Sequence, residues 1–555
     1  MASDLLKKRF LEIERLAKAA GLNPYDVHYF EVPASVIYQV ASYGLPTRYS
    51  HWSFGRSYQH QKAHGEMGYS KIYELIINND PSYAFLDRNN TDVSNMLVAA
   101  HCLAHSSFFK NNIMFQNCGE TNMVEVAKRH AEIIDEYRKE YGDEEVDDWL
   151  DIVLSLQTHI DVYRGYRRDR YQSRRIVYKE KTHDQWHDLV NKEAVVAVDK
   201  QIEGEHIPPH PEKDLLWFFG EYANLEMWQK RVFEIVRRES YYFYPQYRTK
   251  VMNEGFASYW HAELMHQYAL GNDNDFGVKD LEHPLTSGEH LEFVSYHEKV
   301  VQPGVKAHLK VLVNRPGVNK KVLIWNPAIN DPGVFNLITR LNPYYLGFRI
   351  YRDIKERWDK YYEQGYYETE NGDKTPVTIN GTQKIFEVMG MEDDVSFFRK
   401  YLTEQLVEDL HLFYFSNISG YKDDYKTQKN THNDDQEIIN NTVIVKSKEV
   451  KGIVNALAKR MNNYGSPMII VRRIDENGRL RLEHLQEDDT NIDVNYGSEV
   501  LKYIYKIWLR PVELIRKMKD KTYVMSYGGS GKVDIDYQTP DYPECIEQNA
   551  PPSSW

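Results

Sequence analysis

The chain has 555 residues, 42% hydrophobic and 27% charged. That balance excludes global disorder and allows one large core plus a smaller module, or two to three domains. A formal charge of −13 argues against sequence-independent nucleic-acid binding, which needs a basic face to displace phosphate counterions. Cys102, Cys118 and Cys545 are too few for a disulfide framework, and no run of 18 apolar residues occurs. The expectation is a cytoplasmic protein with no membrane span and no nucleic-acid partner.

In chain order, Leu5 to Ala20 repeats apolar residues near the helical period, with no leader-type apolar core, and Gly21-Leu-Asn-Pro24 stops the helix. His51-Trp-Ser-Phe-Gly55 reads as a buried aromatic loop, with Gly55 permitting a tight turn. Val93 to Phe109 is apolar nearly all round and predicts a core helix. Thr121 to Tyr141 interleaves acids and bases and predicts a surface helix. The basic stretch from Tyr163 to Arg175 reads as a solvated loop or salt-bridge network in preference to a phosphate site. Leu225 to Tyr244 predicts a helix that Pro245 interrupts, and a further helix runs from about Thr249 to Leu270, closed by Gly271-Asn272.

Lys306 to Val313 and Lys320 to Trp325 predict a hairpin connected through Arg315-Pro-Gly. Helical patterning resumes at Tyr351 to Tyr362 and at Val395 to Leu410. The polar run 420–441 reads as a linker or surface loop. Beyond it, a helix at Glu449 to Asn462, strands at Pro467 to Arg472 and Leu480 to His484, a helix at Glu499 to Trp508 and a short strand at Pro511 to Ile515 form a small α/β module. The Gly-, Ser- and Pro-rich remainder reads as a disordered tail. The expected fold is α+β and predominantly helical: a core over 1–425, a linker over 426–445, a small α/β module over 446–516 and a tail over 517–555.

Two helices carry the candidate chemistry. His101 and His105 are four residues apart, about 40° around a helix, so both imidazoles leave one face. On the second helix, Glu254 and His261 are seven apart, about 20° off a common face, and Gly255 removes a side chain where another helix can approach closely. Facing each other, these helices present His101, His105 and Glu254 to one point, with His261 as an optional fourth ligand. Such a donor set suits zinc, and iron or manganese less specifically. HxxxH alone is a weak signal, since satisfied core histidines often show it. Asn253-Glu-Gly-Phe-Ala257, however, resembles the segment that supplies the third zinc ligand in gluzincin aminopeptidases, with Glu254 at the ligand position. This gives a zincin-like pair of ligand-bearing helices. In gluzincins a glutamate general base follows the first histidine, whereas Cys102 stands at that position here. Glu74, Glu120 and Glu239 are the alternative base candidates, and a structural ion is the other possibility. Gly-rich phosphate loops, GxSxG elbows and CxxC pairs are missing from the sequence.

At these residues the chain resembles the stage V sporulation protein R (SpoVR) family. The blocks that carry the resemblance include Gly44-Leu-Pro-Thr-Arg-Tyr-Ser-His-Trp-Ser-Phe-Gly55, Ala100-His-Cys-Leu-Ala-His-Ser-Ser-Phe-Phe-Lys-Asn-Asn112, Lys250-Val-Met-Asn-Glu-Gly-Phe-Ala-Ser-Tyr-Trp-His261 and Asn342-Pro-Tyr-Tyr-Leu-Gly-Phe348. They cover roughly residues 1 to 425, with a hairpin insertion near 300–335. The resemblance implies a cytoplasmic protein associated with spore cortex peptidoglycan or stress adaptation. It also implies partners, a PrkA-type serine kinase and a von Willebrand-like domain protein. Three functional readings stand at this point: a metal-dependent hydrolase of the amidase or peptidase kind, a non-enzymatic regulatory scaffold, and an iron redox centre.

Overall fold

This computed structural model describes residues 4–66, 74–163, 208, 210–301, 310–312, 322–324, 342–369, 371–410, 412, 414–417, 443–447, 450–461, 466–475, 477–485, 492–518 and 521–538. The elements begin with α1 (Asp4–Ala19), β1 (Val27–Val32), α2 (Ala34–Tyr43), α3 (Trp52–Glu66), β2 (Glu74–Ile77), β3 (Ser82–Asp87) and α4 (Asp92–Asn111). Then come α5 (Ile113–Cys118), α6 (Met123–Tyr141), α7 (Asp143–Leu154), α8 (Leu215–Tyr222), α9 (Met227–Arg248), α10 (Lys250–Ala269) and α11 (Ser287–Val300). They are followed by β4 (Lys310–Leu312), β5 (Val322–Ile324), α12 (Pro343–Gln364), β6 (Tyr366–Glu368), β7 (Lys374–Pro376), α13 (Gly381–Met391), α14 (Asp394–Tyr401) and α15 (Glu404–Asp409). The chain continues through β8 (Tyr414–Asn417), β9 (Val443–Ser447), α16 (Val450–Met461), β10 (Met468–Ile474), β11 (Leu480–Leu485), α17 (Val494–Trp508), β12 (Val512–Met518), β13 (Lys521–Tyr527) and β14 (Asp534–Gln538). The fold is α+β and mostly helical, with small sheets. Two compact units share it: residues 1–125 with 245–461, and residues 126–244 with 462–555. Each unit therefore draws on two separate stretches of chain.

In the first unit α4 is the central helix, and every residue from Val93 to Phe109 is buried. Thr91 caps it by accepting from Ser94 N at 3.2 Å, which satisfies one of the free N–H groups of the first turn. Ser106 and Ser107 tie the helix to the preceding chain by accepting from Tyr25 N and Asn23 N, each at 3.0 Å. A three-stranded sheet of order β1-β3-β2 packs on α4, with β1 parallel and β2 antiparallel to β3. Helices α1, α10, α11 and α13 pack on it as well.

The close approach expected at Gly255 occurs against α12. A Cβ on Gly255 would run into the backbone of Gly347, and a Cβ on Gly347 would stand 2.6 Å from Gly255 Cα. The two glycines let the helix backbones touch, which fixes the rotation of α10 and hence where Glu254 points. Asp394 holds the start of α10, its two carboxylate oxygens accepting from Val251 N at 2.9 Å and Met252 N at 2.8 Å.

The second unit holds a five-stranded sheet of order β10-β11-β12-β13-β14. Its one parallel pair, β11 with β12, is joined through α17, since parallel strands need a crossover. Phe218 and Phe219 of α8 pack against Trp508 of α17, with ring centroids 5.9 and 6.4 Å away.

Several expectations need correction. Pro245 lies inside α9, and the break falls instead at Thr249, where φ is −122° and ψ 19°. Pro245 removes one helical bond, to the carbonyl of Tyr241, and the helix runs only one turn past it. The segment Val395 to Leu410 is two helices, because Leu402 is extended and Thr403 Oγ1 caps the second by accepting from Leu406 N. Trp52 to Gly55 is the start of α3, not a loop, with His51 just before it and His51 Nδ1 2.7 Å from Ser53 Oγ. The tail expected over 517–555 is partly sheet: β13 pairs with β12, and β14 with β13, as far as Gln538. Ladder bonds to distant strands decide such segments, and local composition does not report them. The hairpin pairs Lys310 with Ile324 through Leu312 with Val322. Its Arg315-Pro-Gly connection, the polar run 420–441 and the basic stretch beyond Tyr163 lie outside the described residues.

Candidate metal centre

Helices α4 and α10 pack side by side and bring three side chains together. One ligand atom each from His101, His105 and Glu254 lie within 4.8 Å of one another, the only group of this kind among the described residues able to hold a metal ion. Glu254 Oε2 stands 3.5 Å from His101 Nε2 and 3.4 Å from His105 Nε2. These separations exceed a good hydrogen bond. They match the spacing of about 3.3–3.5 Å between atoms that share a tetrahedral ion at 2.0–2.2 Å. His101 and His105 are 1% and 5% exposed, so bulk water does little to solvate the cluster.

The other ring nitrogens are fixed from behind. His105 Nδ1 lies 2.7 Å from Asn253 Oδ1, an oxygen that accepts its proton and leaves Nε2 as the lone pair facing Glu254. His101 Nδ1 lies 2.7 Å from His261 Nδ1, and His261 Nε2 lies 2.7 Å from His297 Nδ1 on α11. Two assignments of protons satisfy this chain, one the reverse of the other; in the one where each neutral ring donates outward, His101 Nε2 is a lone pair. Burial, and then the neighbouring imidazoles, hold His261 well below the usual histidine range. Burial likewise pushes His297 down to about 4. Both rings are therefore neutral at pH 7.

With that assignment three acceptors converge on one point. Burial pushes the Glu254 carboxyl up, yet the Lys250 ammonium, with hydrogen bonds from the two rings when their Nε2 atoms carry the protons, outweighs it and holds the group well below the usual carboxylate range. Lys250 Nζ sits 3.4 Å from Glu254 Oε1, the oxygen that does not face the histidines. The donor chemistry and spacing thus fit a divalent cation, and His101, His105 and Glu254 are the residues that could hold one.

His261 sits one step back, with both ring nitrogens directed at other histidines. Cys102 is fully buried in the apolar core. Of the base candidates, Glu74 begins β2, and Glu120 is half-buried in the loop after α5. Glu239 belongs to the other unit, fully buried with Oε1 3.0 Å from His130 Nδ1. Sequence reasoning missed the roles of Asn253 and His297. Asn253 had a signal in its place directly before Glu254, whereas His297 had none.

Fold and site together define a mainly helical α+β protein with a buried histidine–carboxylate cluster between two core helices. A family profile described as "SpoVR like protein" matches residues 1–452, and the chain belongs to that family. It is 28% identical over 539 residues to "Uncharacterized protein YcgB" of Escherichia coli (strain K12), covering 93% of this chain and 92% of that protein. No solved structure matches the chain. Among the described residues no helix is long and apolar enough to cross a membrane.

Proposed function

We propose that this SpoVR-family protein is a metal-dependent hydrolase whose ion is held by His101, His105 and Glu254, with zinc the best-suited ion and iron or manganese next. The observation that carries the reading is the approach of Glu254 Oε2 to two Nε2 atoms at 3.4 and 3.5 Å while Asn253 and His261 occupy the Nδ1 positions. Partners of this kind, bonded to the far side of the ring, fix the tautomer and orientation of histidine ligands. Three protein ligands leave a fourth position open, the pattern of hydrolytic sites and not of closed structural ones. The ion would supply Lewis acidity toward a carbonyl oxygen. The chain's own residues orient the ligands, and the apolar helices around them exclude bulk water. The zincin-like pairing of the two helices belongs to this reading, as does a substrate with amide bonds, such as a peptidoglycan stem peptide, in the cortex setting that the family resemblance implies.

A second reading, a non-catalytic scaffold for a PrkA-type kinase and a von Willebrand-like partner, is favoured by Cys102 at the position where a base would follow His101. Elemental analysis of the purified full chain tests the hydrolase reading. The hydrolase reading expects about one ion per chain, falling at least tenfold in His101→Ala and in Glu254→Gln. An unsubstituted protein that takes up no stoichiometric zinc, iron or manganese would sink it.

A further inference from the structure

Three histidines join the candidate metal centre to the surface of the first unit. His101 Nδ1 meets His261 Nδ1, and His261 Nε2 meets His297 Nδ1, each at 2.7 Å. His101 on α4 and His261 on α10 are buried. His297 on α11 is half-buried and packs against Phe293 and Phe348, with ring centroids 6.0 and 5.3 Å from its own. Among the described residues its Nε2 meets no partner, and water reaches it.

Each bond in the row needs one proton between its two nitrogens. With one proton on each ring, the choice at either end fixes all three. A mixed order would face two lone pairs, or two N–H groups, across 2.7 Å, and a buried hydrogen bond left unmade costs about 1–3 kcal/mol. Water at His297 Nε2 can accept or donate, so the inner end decides. There His101 Nε2 stands 3.5 Å from Glu254 Oε2. Before an ion binds, the inward order is the better one, because it turns an N–H toward the carboxylate instead of a lone pair. A metal ligand requires the outward order, because it is the imidazole lone pair that binds the ion.

We propose that the row reverses when the site is filled, so that His297 Nε2 changes from an acceptor to a donor at the face of α11. This rests on the metal reading and extends it from the ligands to the surface. The protons balance. His261 passes its Nδ1 proton to His101 Nδ1, and His297 passes its own Nδ1 proton to His261 Nε2. Water supplies one at His297 Nε2, and His101 Nε2 gives one up to water, so every ring keeps a single proton. His261 and His297 are positioning residues here, since they act only through the lone pair that His101 presents. A site whose histidines are 1% and 5% exposed thereby shows its state to solvent.

Nitrogen NMR of the full chain, labelled at histidine, tests the reversal. The His297 ring is assigned by its loss in His297→Gln. In protein stripped of metal by a chelator its proton should lie on Nδ1, and with saturating zinc on Nε2. His261→Phe removes the link, and the His297 ring should then keep one form with and without zinc. The comparison in the unsubstituted protein needs no buried variant to fold. If zinc binds and the His297 proton stays on the same nitrogen, the proposal is wrong while the metal reading stands. A response of His297 that survives in His261→Phe also overturns it, because the signal then bypasses the row. If the protein takes up no zinc, the proposal and the metal reading fall together.

Discussion

The crossing of α10 and α12 offers the sharpest test of how packing sets the site. In Gly347→Ala, helix propensity alone favours the variant by about 1 kcal/mol. Against this, the new methyl would stand 2.6 Å from Gly255 Cα, where carbon atoms normally meet at about 3.5–4.0 Å. The helices must then part by about 1 Å, enough to forfeit between a quarter and a half of each dispersion contact across the seam. Val251, Phe256, Leu346, Ile350 and Tyr351 are all buried there. Overpacking ordinarily costs about 1–3 kcal/mol, and here the obstruction is backbone that cannot rotate away, so the upper end applies. The net loss is about 2 kcal/mol. Because a chain of two units need not unfold in one step, the assay is hydrogen exchange of α10 and α12 peptides in a denaturant series. Gly288→Ala is the control: it lies in the first turn of α11, and a Cβ there meets nothing within 4 Å. It should be neutral or gain up to about 1 kcal/mol. If Gly347→Ala protects α10 and α12 as well as Gly288→Ala does, the close crossing does not set the geometry.

Two further outcomes follow from the same unit. Burial lifts the Asp394 carboxyl to about 7, against the two backbone N–H groups that favour its anion. A folded-state value above the unfolded one means that its contribution is full below about pH 4 and is lost as pH rises through 7, a swing of about 4 kcal/mol. Denaturant midpoints of the first unit should fall across that window in the unsubstituted protein and flatten in Asp394→Asn; a flat profile in both refutes it. Asn253→Ala removes the oxygen that holds His105 Nδ1. Competition with a chelator should then show zinc affinity lowered by about 10–100-fold, and unchanged affinity would mean that Asn253 does not orient the ring.

Much of the first unit was legible from residue spacing. The helical period over Val93 to Phe109 and over about Thr249 to Leu270 placed α4 and α10 within a residue or two. The four-residue spacing put His101 and His105 on one face of α4, and the seven-residue spacing put Glu254 and His261 on one face of α10, because side-chain direction on a helix is a local property. Even the need for a close neighbour at Gly255 could be read, though not that Gly347 would be that neighbour. What local spacing could not reach were relations between distant segments. The division into two units each built from separated stretches, the strands β13 and β14, and the chain from His101 through His261 to His297 all depend on contacts between residues far apart in sequence. The same limit applies to His261: its seven-residue spacing from Glu254 fixes its face of α10. Only the packing of α4 and α11 decided that its two nitrogens meet other histidines, one step behind the three that converge. Local periodicity fixes which way a side chain leaves its own helix; what it meets there depends on how the helices cross, and that is settled by burial summed over the whole core.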